Sequence, residues 1–226
     1  DVYKRQVRGN LSANSRGWEG VQFMTPIKRA IVSCHDKTGL VEFVRVLYDF
    51  NVEIISTAGT LQVLEEAALP AINMGDFTGV EEMMDGRVKS LHAKIHAGLL
   101  GVRDNKLHAE QLKAHGYEWI DLVIVNLHPI DSLMTQPGIT PEEIIEQIDI
   151  GGMSMIRSAA KNFRYAGVVV NPERYTAIMH ELRAHGGGLT FETRHRLAQE
   201  AFASAARYDQ IVADFLKRTE LEWNHD

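Results

Sequence analysis

Short apolar runs alternate with segments of helical periodicity in the first third of the chain. The run at 29–34 (RAIVSC) is apolar and β-branched, which favours a strand. The apolar residues after it recur at the spacing of one helix face: Leu40, Phe43, Val44 and Leu47. A second unit has a strand at 52–56 and a helix around 61–67, and Pro70 precedes a third short strand near 71–73. The pattern predicts three strands that alternate with two helices.

The alternation continues in the second half of the chain. The pattern there predicts helices at 106–115, 141–148 and 153–163, and strands at 121–126 (DLVIVN) and 166–170 (AGVVV). These strands are continuous apolar runs, which is typical of a parallel sheet covered by helices on both faces. The sequence therefore predicts an α/β fold.

One helical stripe runs through the C-terminal segment at 190–217. Its members are Leu197, Ala201, Ala205, Tyr208, Val212 and Phe215. The segment is too short for another strand–helix–strand unit, so we expect one long terminal helix or two. The aromatic residues Phe202, Tyr208 and Phe215 are expected to pack in a core or an interface. The glycine run at 186–188 is interpreted as a loop between helices, because no predicted strand precedes it.

Composition limits the class of protein. A chain of 226 residues has room for one domain, which we assign to 24–226, and 1–23 is expected to be a disordered leader without a signal-peptide core. No apolar run approaches the ~18 residues that cross a bilayer, so no membrane is expected. The net charge of −6 argues against nucleic acid as a partner. The single cysteine, Cys34, excludes an internal disulfide and favours a buried, inert thiol in the reduced cytoplasm.

Polar residues follow the predicted strands, and the carboxyl ends of parallel strands lie at one edge of a sheet. The polar tracts are SCHDKTG at 33–39, STAGT at 56–60, GRVKSLH at 86–92 and NLHP at 126–129. Their hydroxyl groups, the helix N-termini and the cations Lys37, Arg87 and Lys89 are what a phosphate monoester requires. Taken singly, Thr57 suits an ordinary helix N-cap and Lys37 a solvated surface charge. Their joint placement predicts a phosphate site.

Asp149 precedes the predicted helix at 153–163, and Lys161 lies near the end of that helix. An aspartate at a helix entrance is often a cap. The two residues are twelve positions apart, so they meet only if the intervening helix folds back towards the strand that ends at 126. Spacing alone leaves both interpretations open.

His92 and His96 stand at positions i and i+4, a spacing that presents two imidazoles to one metal on a helix. The surrounding sequence has no HExxH pattern, no nearby cysteine and no obvious third ligand. We therefore expect no metal site.

Six tracts, in this order and at these intervals, resemble one family: SCHDKTGLVEF, STAGT, EEMMDGRVKSLHAKIHAG, VNLHP, EQIDIGG and RSAAKN. From about Lys28 to Leu216 the chain resembles the inosine monophosphate cyclohydrolase domain that, in the bifunctional enzyme of purine biosynthesis, precedes aminoimidazole-carboxamide ribotide transformylase. The resemblance implies a methylglyoxal-synthase-like fold, a doubly wound α/β/α sandwich on a central parallel sheet with extra C-terminal helices. It also implies closure of 5-formamidoimidazole-4-carboxamide ribotide to inosine monophosphate with loss of water, the final step of de novo purine synthesis, without metal or cofactor.

The resemblance implies site residues as well. The tracts that hold the phosphate and ribose carry Ser33, Lys37, Thr57, Gly59, Thr60, Arg87, Lys89 and Ser90. The tracts around the base carry Asn126, His128, Asp149, Ile150, Gly151 and Lys161. Lys89, His128, Asp149 and Lys161 are the expected catalytic residues. Asp149 is suited to accept a proton or orient the substrate, and the two lysines to stabilise the developing oxygen charge or the departing water.

Four positions depart from the family pattern: His128 replaces tyrosine, Ser90 threonine, Ala93 proline and Ala58 glycine. Ser90 keeps the hydroxyl and Ala58 a small side chain. His128 exchanges a phenol for an imidazole that titrates near neutrality, so we expect a pH dependence of cyclisation. Nearby cations and Asp149 act in opposite directions on its pKa, which leaves the sign of the shift open. His35 is given no role.

Two further functions on this fold stay open: a regulatory module that binds a phosphate ligand, and methylglyoxal synthase. A regulatory module needs the phosphate site but not Asp149 with Lys161, and the tracts DGRVKSLH and DIGG are not typical of methylglyoxal synthase. The expected partners are a small purine ribotide and a second copy of the chain, in a homodimer through the helical layer. Because the length leaves no room for a transformylase domain, we expect a separate transformylase to supply the substrate.

Overall fold

Five parallel strands form the central sheet of the computed structural model, which describes residues 24–80 and 83–219. The strands are β2 (Arg29–Cys34), β3 (Glu53–Ser56), β4 (Ile72–Asn73), β5 (Leu122–Asn126) and β6 (Gly167–Val169). Their order across the sheet is β4–β3–β2–β5–β6. The predicted parallel sheet is confirmed, whereas the expected leader at 1–23 lies outside the described residues.

The described residues form helices between and after these strands. They are α1 (Leu40–Asp49), α2 (Ala58–Glu66), α3 (Met74–Thr78), α4 (Ala93–Leu100), α5 (Lys106–Ala114), α6 (Ile130–Leu133), α7 (Pro141–Glu146), α8 (Gly151–Lys161), α9 (Tyr175–Ala184) and α10 (Phe191–Arg218). The C-terminal stripe forms a single helix of 28 residues. Within the described part of the chain, no helix is long and apolar enough to cross a membrane.

Four helices were not predicted from the sequence, namely α3, α4, α6 and α9. Helices α3 and α6 have only five and four residues, too few to show a period. Helix α4 (AKIHAGLL) is apolar on several sides and so lacks a single stripe. Such segments become helical through the packing that surrounds them, because short helices are marginal in isolation.

The glycine run at 186–188 is not wholly a loop. Gly186 and Gly187 have positive φ angles of 60° and 87°, as expected for a turn. Gly188, however, begins strand β7 (Gly188–Leu189), which pairs antiparallel with β1 (Thr25–Pro26). The loop prediction is wrong at that residue, because the pairing strand lies at the other end of the described chain.

Helices cover both faces of the sheet. On one face, Ala30 and Val32 of β2 share a core with Phe43 of α1 and Ile178 of α9. On the other, Ile31 lies in a core with residues of α4, α8 and α10. Both faces are therefore buried, which explains why the strand sequences are continuously apolar.

The order of the strands determines where a ligand fits. The chain proceeds outward from β2 through β3 to β4, and then returns to pair β5 with the other side of β2. The carboxyl ends of β2 and β5 thus flank the point where the direction of winding reverses. In open α/β sheets, ligands bind in the crevice at such a point.

Candidate active site

A cavity of about 740 Å³ opens at the carboxyl ends of β2, β3 and β5. Its walls come from the loops after these strands, from the loop before α4 and from the connection between α7 and α8. Every site residue predicted from the sequence lines it, with the exception of Lys161. These are Ser33, Lys37, Thr57, Gly59, Thr60, Arg87, Lys89, Ser90, Asn126, His128, Asp149, Ile150 and Gly151.

One end of the cavity contains hydroxyl groups and the N-terminus of α2. Thr57 occupies the N-cap position of α2, but its hydroxyl lies 2.9 Å from Ser33 Oγ, and within the described residues no side chain caps the helix. Among the described residues, the N–H groups of Ala58 and Gly59 have no acceptor, whereas that of Thr60 donates to the Thr57 carbonyl at 2.9 Å. Unsatisfied helix amides attract anions. A Cβ at Gly59 would meet no described atom within 4 Å, so the approach is clear.

Two of the predicted binding residues hold loops in place. The Asn126 side chain accepts the Asp36 N–H at 2.7 Å and donates to the Asp36 carbonyl at 2.8 Å. The buried Thr60 hydroxyl accepts the Cys34 N–H at 3.0 Å and lies 3.2 Å from the Cys34 carbonyl, to which it donates. Both side chains fix the segment after β2, which carries Lys37 into the cavity wall.

The loop before α4 reaches the cavity through a left-handed turn. Met84, Asp85 and Gly86 have φ angles of 52°, 53° and 79°, and a non-glycine residue in this region stores about 1 kcal/mol or more of strain. The turn directs Arg87 to an ion pair with Glu146 at the end of α7. Ser90, three residues on, is buried.

Helix α8 begins at the cavity, and Asp149 lies at its entrance. Asp149 Oδ1 accepts the Gly152 N–H at 2.6 Å, while the Asp149 N–H donates to the Tyr208 hydroxyl of α10 at 2.8 Å. Asp149 therefore both caps the start of α8 and lines the cavity. A Cβ at Gly152 would lie 2.5 Å from Asp149 Oδ2, and one at Gly151 would overlap Ser90 Oγ. The two glycines allow the carboxylate and the hydroxyl to approach the helix start closely.

His128 and His35 contact each other in the cavity wall. Their Nδ1 atoms are 3.0 Å apart and their rings are edge-on, with centroids 4.0 Å apart. Burial, followed by the nearby His35, lowers the pKa of His128, and the opposing effect of Asp149 is smaller. The structure thus supplies the sign of the shift that the sequence left open.

Lys161 is the predicted catalytic residue that the structure does not bring to the cavity of its own chain. It is exposed in the last turn of α8. Helix α8 does not fold back, so its rise of 1.5 Å per residue separates Lys161 from Gly151 by ~15 Å. Asp149 and Lys161 consequently lie at opposite ends of one helix and do not meet within one chain, and the assignment of Lys161 as catalytic stays a prediction.

Several cavity residues were not predicted from the sequence, among them His35 and Glu146. Both lie inside tracts that were recognised, yet nothing in those tracts indicates the direction of their side chains. Cys34 also borders the cavity, but burial raises the pKa of its thiol to about 11. The prediction of a buried thiol is confirmed, and such a pKa keeps the thiol protonated and unreactive at neutral pH.

The two histidines considered as a metal pair have other contacts. His92 Nδ1 accepts the Lys94 N–H at 3.1 Å and so caps α4. His96 Nδ1 lies 2.9 Å from Ser158 Oγ of α8. His96 thereby joins α4 to α8 beneath the cavity, and its partial burial lowers its pKa.

The fold and the cavity define a class: an open parallel α/β domain whose ligand site lies at the switch point and combines hydroxyls, cations and free helix amides. The chain belongs to the MGS-like domain family, which matches residues 39–154. A second family, described as the AICARFT/IMPCHase bienzyme, matches residues 159–225. The two matches together cover strands β3 to β6 and helix α10, and they confirm the resemblance read from the sequence.

Two similar proteins support this assignment. The bifunctional purine biosynthesis protein PurH of Neisseria meningitidis is 47% identical over 193 residues, which are 85% of this chain and 36% of that protein. PurH of Listeria welshimeri is 49% identical over 192 residues, or 85% of this chain and 38% of that protein. The chain thus spans little more than a third of the length of the relatives it matches, and it corresponds to their N-terminal part.

A solved structure shares the fold. The crystal structure of ForH superimposes with a TM-score of 0.74 at 29% identity, over 84% of this chain and 99% of that one. The doubly wound α/β architecture is therefore the family's fold.

Proposed function

We propose that this chain catalyses the cyclohydrolase step of purine biosynthesis, the closure of 5-formamidoimidazole-4-carboxamide ribotide to inosine monophosphate. The observation that carries the proposal is the cavity itself, where Asp149, His128 and Lys89 line the same space as an anion-suited helix terminus. The likeness of the chain to PurH and to the AICARFT/IMPCHase family supports the same step.

The 5′-phosphate of the ribotide would occupy the end of the cavity near α2. Open amides at the start of α2 and the hydroxyls of Ser33 and Thr57 provide donors, while Lys37, Arg87 and Lys89 offset the charge. Binding at this remote group holds the reacting end in place, which lowers the entropic part of the barrier.

The chemistry requires two proton movements. The carboxamide nitrogen attacks the formyl carbon, and a new carbon–nitrogen bond forms as the carbonyl opens to a tetrahedral carbon. One proton leaves the carboxamide nitrogen and one leaves the formamido nitrogen, and both end on the former formyl oxygen, which departs as water. A base near the nitrogen and donors near the oxygen are therefore what the site must supply.

Asp149 is the group we assign as the base. Its Oδ1 is engaged by the Gly152 N–H, which fixes the carboxylate, and its backbone is held by Tyr208. Lys89 and His128 line the same cavity and are the donors assigned to the formyl oxygen. An amide nitrogen is a weak nucleophile, so the orientation of all three groups matters as much as their acidity.

The test is a continuous ultraviolet assay of the purified chain with the formamido ribotide, with dihydroxyacetone phosphate as the control substrate. We expect inosine monophosphate from the first and no methylglyoxal from the second. Formation of methylglyoxal would favour the synthase, and tight binding of purine monophosphates without turnover of either substrate would favour a regulatory module.

We also propose that the chain forms a homodimer through its helical layer. The three aromatic residues of α10 differ in burial, since Tyr208 and Phe215 are buried but Phe202 is 47% exposed. Aromatic residues are enriched at protein interfaces, which supports Phe202 as a contact between two copies. The formylated substrate would come from a formyl transfer to the corresponding amino ribotide, the activity that a transformylase supplies.

A further inference from the structure

The contact between His35 and His128 joins the loop after β2 to the loop after β5. The two residues are 93 positions apart, and their Nδ1 atoms approach to 3.0 Å. His35 is exposed and His128 half-buried, and both border the cavity. A distance of 3.0 Å between ring nitrogens is that of a hydrogen bond.

A hydrogen bond between two Nδ1 atoms allows only one proton between them. One ring must donate its Nδ1–H and the other must accept with a bare Nδ1. A neutral imidazole whose Nδ1 is bare carries its proton on Nε2. The acceptor of the pair is consequently held in the Nε2–H tautomer, because the partner of one ring nitrogen determines the protonation of the other.

We propose that His35 is a positioning residue that donates its Nδ1–H to His128 and holds His128 as a neutral Nε2–H donor in the cavity. This assignment leaves His128 with a hydrogen-bond donor at Nε2. The expected effect of His35 on the rate rests on the function proposed above, whereas the tautomer of His128 does not depend on that function.

Burial and the contact with His35 favour this neutral state of His128. Several charged groups line the same walls: Lys37 on the loop after β2, Arg87 and Lys89 before α4, and Glu146 and Asp149 at the α7–α8 connection. Burial and the adjoining His35 outweigh Asp149, so that the pKa of His128 is lowered. A second proton would place two like charges on contacting rings, which close approach strongly disfavours.

The backbone holds His35 in place for this contact. The His35 N–H donates to the Asn126 carbonyl at 3.3 Å, and the Asn126 side chain holds both backbone groups of Asp36. These bonds fix the loop that carries His35 against the end of β5, two residues before His128. The contact between the rings is thus held by the backbone at both ends.

The tautomer is tested by nitrogen-15 NMR of the ring nitrogens in the full chain at pH 7.5, with His128→Gln used to identify the His128 signals. We expect a protonated Nε2 and an unprotonated Nδ1 at His128. His35→Asn retains an N–H donor at the position of Nδ1 and should preserve this tautomer. His35→Asp supplies only an acceptor and should reverse it, with the proton on His128 Nδ1.

The rate provides a second readout. His35→Ala should lower kcat about two- to tenfold, as expected for loss of one neutral hydrogen bond, with little change in KM, and His35→Asn should restore the rate. The proposal is overturned if His128 carries its proton on Nδ1 in the unmodified chain. It is also overturned if His128 keeps one tautomer in His35→Asn, His35→Asp and His35→Ala alike. If the tautomers follow the expected order and no variant cyclises the ribotide, the positioning role stands and the proposed function fails.

Discussion

Arg87 and Glu146 form an ion pair that joins the loop before α4 to the end of α7 across the candidate cavity. The two residues are 59 positions apart, and their side chains are 60% and 54% exposed. Exposed ion pairs contribute at most about 1 kcal/mol. A phosphate dianion, which offers Arg87 a stronger bidentate partner, can therefore displace Glu146 at small cost.

The ion pair between Arg87 and Glu146 predicts that substitutions of the cations and of the carboxylate have opposite effects on the binding of inosine monophosphate. Arg87→Ala, and likewise Lys89→Ala, should weaken binding by about 1.5–3 kcal/mol, as for loss of a charged hydrogen bond. Glu146→Gln should strengthen binding by up to about fivefold, because it removes a competitor worth at most about 1 kcal/mol. Calorimetry measures both, with Arg45→Ala and Glu142→Gln as exposed controls. Equal affinity in all variants would show that the phosphate lies elsewhere.

Two substitutions at Asp149 separate catalysis from folding. Asp149→Asn keeps an oxygen that can accept the Gly152 N–H but loses the base, so the rate should fall about 10²–10⁴-fold with unchanged stability. Asp149→Ala should also destabilise the protein by about 0.5–2 kcal/mol, because it removes the cap. Urea denaturation and the ultraviolet assay give the two quantities. A fully active Asp149→Asn variant would exclude Asp149 as the base.

The glycine at the start of α8 is required by packing. Gly151→Ala brings a methyl group onto Ser90 Oγ, so we expect a loss of about 1–3 kcal/mol in stability, as for overpacking. Gly59→Ala is the matched control, since its Cβ would have open space among the described residues, and in helix α2 it should stabilise by about 0.4–1 kcal/mol. Thermal or urea unfolding compares them. Similar effects at both sites would argue against the close contact.

The pH–rate profile should reflect the lowered pKa of His128. A lowered pKa keeps the imidazole neutral above about pH 6.5, its ordinary value. Only below that does protonation of Nδ1 remove the acceptor for the His35 N–H and so break the contact that orients His128. Cyclisation should thus be flat through neutrality and decline on the acid side. His128→Tyr should remove this inflection and retain activity, because a phenol stays protonated until about pH 10. An unchanged profile would mean that His128 does not titrate in the reaction.

The proposed homodimer is tested on α10. Phe202→Glu should convert a dimer to a monomer, because it places a charge on an apolar exposed position, whereas Gln199→Glu on the same helix should not. Light scattering at micromolar concentration measures the mass. A monomeric unmodified chain, or a Phe202→Glu variant that stays dimeric, contradicts an interface at this residue.

The sheet and the region of the site follow from the amino-acid sequence alone. Apolar runs such as 29–34 and 121–126 are continuous because both faces of each strand are covered, and this property is visible in a local stretch of sequence. Parallel strands place their carboxyl ends at one edge. The tracts that contain Ser33, Thr57 and His128 therefore had to lie near one another once the strands were identified.

The partners of individual side chains, in contrast, depend on the tertiary structure. The contacts between Arg87 and Glu146 and between His35 and His128 join residues 59 and 93 positions apart. Local periodicity shows which face of a helix is buried but not where the helix axis runs after the chain crosses the sheet. Asp149 and Lys161, twelve positions apart and both expected to be catalytic, lie at opposite ends of α8, because a straight helix separates its two ends.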